Sequence, residues 1–352
     1  MSASPGAVAA IVLAGVATVA ASACGPRRAA EEAEETPVVE QPAAPPRLDW
    51  AIALHGGAGS IDRELDAEPY RTALGGALDE AVRMLDEGLA ALEVVQAVVV
   101  RLEDDPLYNA GRGAVLTYDG AHELDAAIME GRTLAAGAVA GVRNVRNPVV
   151  LARRVMESSP HVLLSGAGAD AFAREMRVPR VPQDYFTTER RLRQWREVRR
   201  TVAAPPPGRS TVGAVALDRY GNLAAATSTG GTVNKRWGRI GDVPLLGAGT
   251  YADNRSVAVS CTGRGEELIR HAVAHDLAAR VTYLDQSLDD AAIEIVERVL
   301  APGDGGLVAV DHRGHLALVF NTEGMFRAAA DSAGRREVAI WRDPQPGTAT
   351  VP

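Results

Sequence analysis

The first half of the chain alternates short apolar runs with stretches of helical periodicity. The run at 50–59 is apolar and is stopped by glycines, which predicts a buried strand entering a tight turn. Residues 68–87 and 90–104 follow a helical repeat, and the second stretch is apolar on two faces, as is typical of a helix between layers. Further predictions are strand-like pieces at 113–120 and 122–131 around a turn at Asp119-Gly120, a helix at 147–158 and a strand at 162–166.

The second half is richer in strands. Apolar runs at 211–218 and 223–231 flank a turn and predict a hairpin. A strand at 256–263, helices at 266–280 and 287–300, and a second hairpin at 305–324 follow. This order of elements, with glycines throughout, predicts two sheets that are covered by helices on the outside.

The N-terminal region differs in character from everything that follows it. Residues 8–23 form a run of small and apolar residues that is too short for a comfortable membrane span and resembles the hydrophobic region of a signal peptide. The run ends Ala21-Ser22-Ala23-Cys24, so residues 1–23 resemble a bacterial lipoprotein signal with Cys24 as the lipid-bearing residue. No Lys or Arg precedes the run, and Ala21 stands where Leu is usual, so ordinary secretion and a misassigned start remain alternatives.

Residues 24–47 are rich in Glu, Ala and Pro and lack a periodic apolar face. They predict a disordered tether, although a frayed N-terminus accounts for the composition equally well. The folded part is expected to begin near Leu48. We therefore expect an exported protein that is periplasmic or anchored to a membrane through lipid.

Composition limits the classes of function. The formal charge of −8 argues against a nucleic-acid partner, and the 47% hydrophobic and 23% charged residues are those of a soluble globular protein. Two cysteines exclude a disulfide framework, and the seven histidines show no zinc-ligand spacing. We expect a small-molecule substrate and no cofactor.

Residues 178–210 predict a connector. Six arginines crowd one helical stretch before Pro205-Pro206-Pro207-Gly208 interrupts all regular structure. A phosphate-containing partner is one interpretation of such a charge cluster. A solvated helix beside a flexible connector is the simpler one, and we adopt it.

Three threonines stand at strand ends beside glycines: Thr211, Thr229 and Thr262. Taken singly, each is an ordinary β-branched strand residue. Glycine, however, lets the backbone approach a ligand and turn its N–H groups toward an anion. A small-residue loop carries Arg239 and Asp242, the cation and anion that the carboxylate and ammonium of an α-amino acid require.

These segments together resemble the plant-type L-asparaginase and isoaspartyl peptidase family of N-terminal-nucleophile hydrolases. The resemblance covers about Trp50 to Arg327 and omits the connector. The motifs that carry it are His55-Gly-Gly-Ala-Gly, Asn109-Ala-Gly-Arg-Gly-Ala, Glu123-Leu-Asp-Ala through Gly131, Thr211-Val-Gly-Ala-Val-Ala-Leu-Asp, Ala224 through Asn234, Gly238 through Asp242, and Cys261-Thr-Gly-Arg-Gly-Glu. The resemblance implies an α+β fold, the four-layer αββα sandwich, and an (αβ)2 homo-oligomer.

The resemblance also implies a reaction. Thr211 would attack the carbonyl of Ser210 and divide the chain into an α part, 48–210, and a β part, 211–352. The freed amine would then serve as general base while Thr211 attacks the side-chain amide of L-asparagine or a β-aspartyl peptide. Members of the family often have Gly before the nucleophile, so Ser210 predicts slower maturation.

Position by position, the resemblance assigns further roles. Thr262 and the Gly263 N–H would form the oxyanion hole, and Thr229 would orient the nucleophile. Arg239 would bind the substrate carboxylate, and Asp242 its amine. The Gly265 carbonyl would lie near the substrate amine, and Asn109 would lie near the nucleophile. A sodium ion would bind the backbone carbonyls of Leu102, Glu103, Asp105, Tyr108, Ala110 and Arg112. The alternative for this segment is a plain turn that ends a helix.

Other interpretations stay open or fall away. His55 is expected to be structural rather than catalytic, and Cys261 to be a buried strand residue. Gly263-Arg264-Gly265 lacks the third glycine of a nucleotide-binding loop. The alternative functions are an N4-(β-N-acetylglucosaminyl)-L-asparaginase and an amino-acid-binding lipoprotein that never matures.

Overall fold

A computed structural model describes residues 47–200 and 211–342. The strands are β1 Ala51–Gly59, β2 Leu124–Glu130, β3 Ala136–Val142, β4 Leu163–Ser165, β5 Val212–Leu217, β6 Leu223–Thr229, β7 Thr250–Ala252, β8 Val257–Gly263, β9 Gly305–Asp311, β10 Leu316–Phe320, β11 Gly324–Asp331 and β12 Arg336–Trp341. The helices are α1 Glu68–Asp86, α2 Ala91–Asp104, α3 Pro148–Ser158, α4 Gly166–Glu175, α5 Glu189–Arg200, α6 Gly265–Arg270, α7 Val273–Tyr283 and α8 Leu288–Glu294. A 3₁₀ turn occupies Gln183–Phe186, and one π-helical turn, Ile295–Val299, follows α8.

The described strands form two sheets. The larger sheet has the order β12-β11-β1-β5-β6-β2-β3-β4, and its pairs are antiparallel except β3 with β4. The smaller sheet has the order β10-β9-β8-β7 and is antiparallel throughout. The mixed α/β fold with two sheets confirms the coarse prediction from periodicity.

The three larger clusters of buried apolar side chains pack against the faces of the two sheets. One cluster joins α1, α2 and α3 to one face of the larger sheet and includes Leu78, Val95 and Leu151. A second lies between the two sheets, and a third joins the smaller sheet to α7 and α8. Alternate residues of β1 enter the first and second clusters, which explains why that strand reads as a continuous apolar run.

The segment 113–120 corrects one prediction, because it is not a strand. Its apolar residues are buried, but its backbone groups bond to other loops. The Tyr118 N–H donates to the Lys235 carbonyl at 2.8 Å, and the Leu116 carbonyl accepts from the Asn234 N–H at 2.8 Å. The apolar residues of this segment are buried in a loop, and an apolar run of this kind has the same sequence pattern as a buried strand.

Two predicted helices are interrupted. The helix expected at 266–280 divides into α6 and α7 at Ala272, whose φ of 46° is left-handed. The helix expected at 287–300 ends at Glu294 and continues as the π-helical turn. The elements that periodicity did not predict are α4 and the strands β3, β7, β11 and β12.

Several predictions fall outside the described residues. The signal peptide with Cys24, almost all of the tether at 24–47, and the end of the connector with Ser210 are among them. Within 47–200 and 211–342, no helix is both long and apolar enough to span a membrane. The helical part of the connector is α5, and it is less solvated than expected, because Arg191 is buried and its Nε donates to the Gly113 carbonyl at 2.6 Å.

Candidate active site

Two of the predicted threonines meet at the start of one strand and the end of its neighbour. Thr211 directly precedes β5, Thr229 ends β6, and the antiparallel register pairs Val212 with Ser228. The Thr211 hydroxyl lies 3.4 Å from Thr229 Oγ1, which also accepts the Gly231 N–H at 3.0 Å. Both threonines are buried, so the hydrogen bond between them is shielded from bulk water.

Thr262 and Gly263 come from the end of β8 in the smaller sheet. Thr262 Oγ1 accepts the Ala58 N–H at 3.1 Å, and a hydroxyl that accepts still has its own hydrogen to donate. Gly263 has a φ of 151°, and a Cβ there would lie 2.1 Å from the Asp304 carbonyl oxygen. Only glycine fits this position at the end of β8, so no side chain covers the backbone of residue 263.

Arg239 and Asp242 occupy the loop that follows β6. Arg239 Nε donates to Glu266 Oε1 at 3.0 Å. Asp242 is buried, and this burial raises the pKa of its carboxyl to about 7. Both side chains converge on Gly265, where a Cβ would lie 2.6 Å from Arg239 Nη2 and 2.8 Å from Asp242 Oδ1.

Predicted groups from both sheets line one cavity, although Thr262, Gly265 and Asn109 are not part of its lining. It is lined by Thr211, Thr229, Gly231, Thr232, Arg239, Asp242 and Gly263. Threonine hydroxyls, a guanidinium, a carboxyl and the backbone of Gly263 therefore face the same small space. This set matches the functional groups of an α-amino acid that carries a reactive side-chain carbonyl.

Asn109 contacts the two glycines that directly follow Thr229. Its Nδ2 donates to the Gly231 carbonyl at 2.8 Å, and its Oδ1 accepts the Val115 N–H at 2.8 Å. Its own carbonyl accepts the Gly230 N–H at 2.9 Å. Asn109 thus fixes the glycines that follow Thr229 and acts on the cavity through them.

His55 is buried on β1 and contacts the nucleophile candidate directly. Its Nδ1 lies 2.9 Å from the Thr211 carbonyl oxygen, and its Nε2 lies 2.8 Å from Ser260 Oγ. Burial lowers the pKa of His55 to about 3, against the opposing effect of the hydrogen bond to Thr211. His55 is therefore neutral at physiological pH.

The residues predicted to hold sodium lie at the end of α2 and in the loop after it. The Glu103 carbonyl accepts the Arg112 N–H at 2.7 Å, and a Cβ at Gly111 would lie 2.3 Å from that carbonyl oxygen. A Cβ at Gly113 would lie 2.6 Å from the Pro106 oxygen and 2.8 Å from the Tyr108 oxygen. Backbone carbonyls therefore crowd the two glycines. Within the described ranges, no group of His, Cys, Asp and Glu side chains forms a metal site.

Sequence reasoning missed the partners of the predicted groups. Thr232 lines the cavity, Glu266 holds Arg239, and Ser260 holds His55. Thr232 lies in the same glycine-rich run as Thr229, so adjacency was an available signal. Cys261 is buried as expected, and burial raises the pKa of its thiol.

Comparisons with known proteins bear on this site. Residues 48–340 match the family described as Asparaginase. The chain is 50% identical over 308 residues to the isoaspartyl peptidase of Salmonella typhimurium, covering 83% of this chain and 98% of the relative. The isoaspartyl peptidase of Escherichia coli is also 50% identical over 308 residues, covering 83% and 96%. The plant-type L-asparaginase of Pyrococcus furiosus is 42% identical over 294 residues, covering 78% and 94%. With a family match over most of its length and relatives of this identity, the chain belongs to the asparaginase family.

Proposed function

We propose that this protein is a self-cleaving isoaspartyl peptidase with L-asparaginase activity and that Thr211 is its nucleophile. The observation that carries the proposal is the single cavity shared by Thr211, Arg239, Asp242 and Gly263. The printed names of the relatives, isoaspartyl peptidase and plant-type L-asparaginase, support the same substrate class.

Maturation is an acyl shift followed by hydrolysis. Thr211 Oγ attacks the Ser210 carbonyl carbon, an ester C–O bond forms, and the peptide C–N bond breaks to free the Thr211 amine. Water then hydrolyses the ester and leaves a carboxylate on Ser210. The reference pKa of about 7.7–8.0 for an α-amine makes the new terminus an effective general base near neutral pH.

Turnover uses the same oxygen. Arg239 binds the substrate carboxylate, while Asp242 and the Gly265 carbonyl bind its ammonium. The Thr211 amine takes the hydroxyl proton, Oγ attacks the side-chain carbonyl, and the oxyanion receives hydrogen bonds from Thr262 and the Gly263 N–H. Loss of one such donor typically costs about 10²–10³ in rate. The amine or ammonia leaves with a proton, and water hydrolyses the β-aspartyl ester.

The same proposal covers the architecture of the mature enzyme. The three larger of the four buried apolar clusters support a four-layer αββα sandwich. Cleavage before Thr211 gives an α subunit, 48–210, with 178–210 as its connector, and a β subunit, 211–352. An (αβ)2 assembly is part of the proposal and follows from the family resemblance alone.

A structural sodium ion is compatible with the loop after α2. The carbonyl oxygens of Glu103 and Tyr108, which pack against Gly111 and Gly113, are ligands of the kind that a hard cation binds. Leu102, Asp105, Ala110 and Arg112 would complete the set through their backbone oxygens. The ion would fix the loop that carries Asn109.

A pair of variants tests the nucleophile. Thr211→Ala should fold but remain uncleaved and inactive, because alanine lacks the hydroxyl needed for both attacks. Thr211→Ser should retain self-cleavage and turnover at reduced rates, because serine keeps the hydroxyl but lacks the methyl that restricts χ1. The measurements are a denaturing gel, N-terminal sequencing of the smaller piece, expected to begin Thr-Val-Gly, and ammonia release from asparagine.

Thr322→Ala is the matched control, because Thr322 precedes β11 and donates to the Gly324 carbonyl outside the cavity. It should cleave and turn over as the parent does. Ammonia release by Thr211→Ala near the parent's rate would place the nucleophile elsewhere. A parent that binds asparagine as one intact, inactive chain would instead be an amino-acid-binding protein, and faster hydrolysis of glycosylated asparagine would indicate the glycosylasparaginase.

Export completes the proposal. Residues 1–23 would be removed as a lipoprotein signal, Cys24 would carry lipid, and 24–47 would tether the enzyme. One acyl chain binds membranes only marginally, so stable anchoring needs several. Labelled fatty acid fed to an expressing bacterium should enter the larger fragment and be absent from Cys24→Ser, whereas unprocessed protein retaining residues 1–23 contradicts export.

A further inference from the structure

A chain of buried polar side chains runs between the two sheets and ends on the nucleophile candidate. His55 lies 2.8 Å from Ser260 Oγ, which lies 2.8 Å from Thr227 Oγ1, which lies 2.8 Å from Thr250 Oγ1. All four side chains are fully buried. Such a network is costly unless every member is paired, so its completeness points to a purpose beyond packing.

Each hydrogen bond between these four side chains joins a residue of the larger sheet to a residue of the smaller sheet. His55 and Thr227 belong to β1 and β6 of the larger sheet, while Ser260 and Thr250 belong to β8 and β7 of the smaller one. The absence of a side chain at Gly213 provides the space for the hydrogen bond between His55 and Ser260. A Cβ at that position would lie 1.9 Å from Ser260 Oγ and 2.7 Å from His55 Nε2.

The Thr211 carbonyl sets the direction of the hydrogen bonds nearest to His55. The Thr211 carbonyl only accepts, so His55 Nδ1 carries the proton, and Nε2 of a neutral imidazole must then accept from the Ser260 hydroxyl. Ser260 has given its hydrogen to His55, so Thr227 donates to Ser260. The single hydroxyl hydrogen of Thr250 is shared between Thr227 Oγ1 at 2.8 Å and the Val243 carbonyl at 3.1 Å. The Thr211 carbonyl therefore selects one tautomer of His55, and the Ser260 hydroxyl complements that tautomer.

Self-cleavage makes this contact matter. Thr211 becomes the first residue of a chain once the bond before it breaks, and chain termini are poorly ordered unless something ties them down. β5 begins only at Val212, so the Thr211 carbonyl is the nearest backbone group by which the nucleophile can be held. His55 Nδ1 holds that group at 2.9 Å.

We propose that His55 is a positioning residue that holds the nucleophile Thr211 through its carbonyl, and that the Ser260 hydroxyl supports the imidazole by donating to Nε2 of the tautomer that makes this bond. The inference rests on the proposed function. His55 transfers no proton to substrate. It keeps Thr211 Oγ aligned with the cavity, and a misplacement of about 1 Å can cost on the order of 10²-fold in rate.

The test compares two buried histidines with the same bonding pattern. His122 Nδ1 lies 3.2 Å from the Val115 carbonyl oxygen and its Nε2 lies 2.9 Å from Thr187 Oγ1, with no contact to Thr211. His55→Phe should lower kcat per cleaved molecule by about 10- to 100-fold and leave KM within about twofold, because Arg239 and Asp242 are untouched. His122→Phe should change neither, although both variants lose stability.

Two further variants keep the inference testable if His55→Phe folds poorly. His55→Asn retains a donor near the Nδ1 position and should recover part of kcat. Ser260→Ala removes the donor to Nε2 and should lower kcat, whereas Ser256→Ala, at a buried serine that directly precedes β8, should not. Imidazole ¹⁵N NMR of the parent should show a proton on Nδ1 of His55, because the Thr211 carbonyl can only accept.

The outcomes separate the two proposals. A parent that neither cleaves itself nor releases ammonia refutes the proposed function. An active parent whose kcat is unchanged in His55→Phe and in Ser260→Ala refutes the positioning role alone, as does a parent with the proton on Nε2. Equal losses of kcat in His55→Phe and His122→Phe would show that His55 acts only through stability, and would also refute the positioning role.

Discussion

Asp242 lines the cavity, and its charge state depends on its burial there. Burial raises the pKa of its carboxyl to about 7, while Arg239 opposes that shift and Asp125 and Glu266 add to it. A carboxyl with a raised pKa is neutral below that value and ionised above it. The proposed clamp on the substrate ammonium is therefore charged only from about neutral pH upward.

This gives a prediction for the pH dependence of KM. As pH falls below about 7, Asp242 becomes protonated, and KM for asparagine should rise by up to about tenfold per pH unit. Asp242→Asn should have a high KM that no longer varies over this range. Asp119→Asn, an exposed carboxylate in a turn, is the control and should behave as the parent does. If KM of Asp242→Asn still rises on acidification, another group binds the ammonium.

Arg239 illustrates what was hidden at the residue scale. Its pairing with Glu266 joins residues 27 positions apart, on a loop and at the first turn of α6. The motif Gly238 through Asp242 indicated a carboxylate-binding arginine, and the structure places it on the cavity. Nothing in the motif indicated the glutamate, because an ion pair between separate elements has no periodic signature.

At the scale of elements, hairpin geometry brings the reactive groups together. Antiparallel pairing places the beginning of β5 beside the end of β6, so Thr211 and Thr229 meet whatever the rest of the fold does. The hairpin was predictable from two apolar runs around a turn. Gly263, by contrast, reaches the cavity only because the smaller sheet stacks on the larger one.

The helix α2 shows a limit of periodicity at this scale. Its two apolar faces predicted a position between layers. The structure packs it on β5 and β6, with α1 and α3 as neighbours, so the second face is covered by adjacent helices. A wide apolar surface indicates extensive burial and does not distinguish which elements provide it.

At the scale of the whole molecule, the two proposed subunits are interleaved in one sheet. β1, from the first part of the chain, lies between β11 and β5 from the second part. β6, from the second part, pairs in turn with β2 from the first. Separating the two parts would break three antiparallel pairings within the larger sheet.

We therefore expect the cleaved pieces to remain together under native conditions. The mature protein should give two bands on a denaturing gel but elute in one native peak, at the size of the uncleaved Thr211→Ala variant. The two pieces should also unfold in one cooperative transition. Elution of a free smaller piece without denaturant would contradict the interleaved sheet.

The sequence by itself determined most of the elements, the candidate groups Thr211, Thr229, Arg239 and Asp242, and the family resemblance that the comparisons confirm. These follow from local periodicity and from short motifs whose members are near in the chain. Only the tertiary structure decided that 113–120 is a loop and that α6 and α7 are separate helices. It alone revealed the network from Thr250 to His55, because those hydrogen bonds join residues on stacked sheets. The relative placement of two sheets depends on the packing of all their side chains together, and no local pattern encodes it.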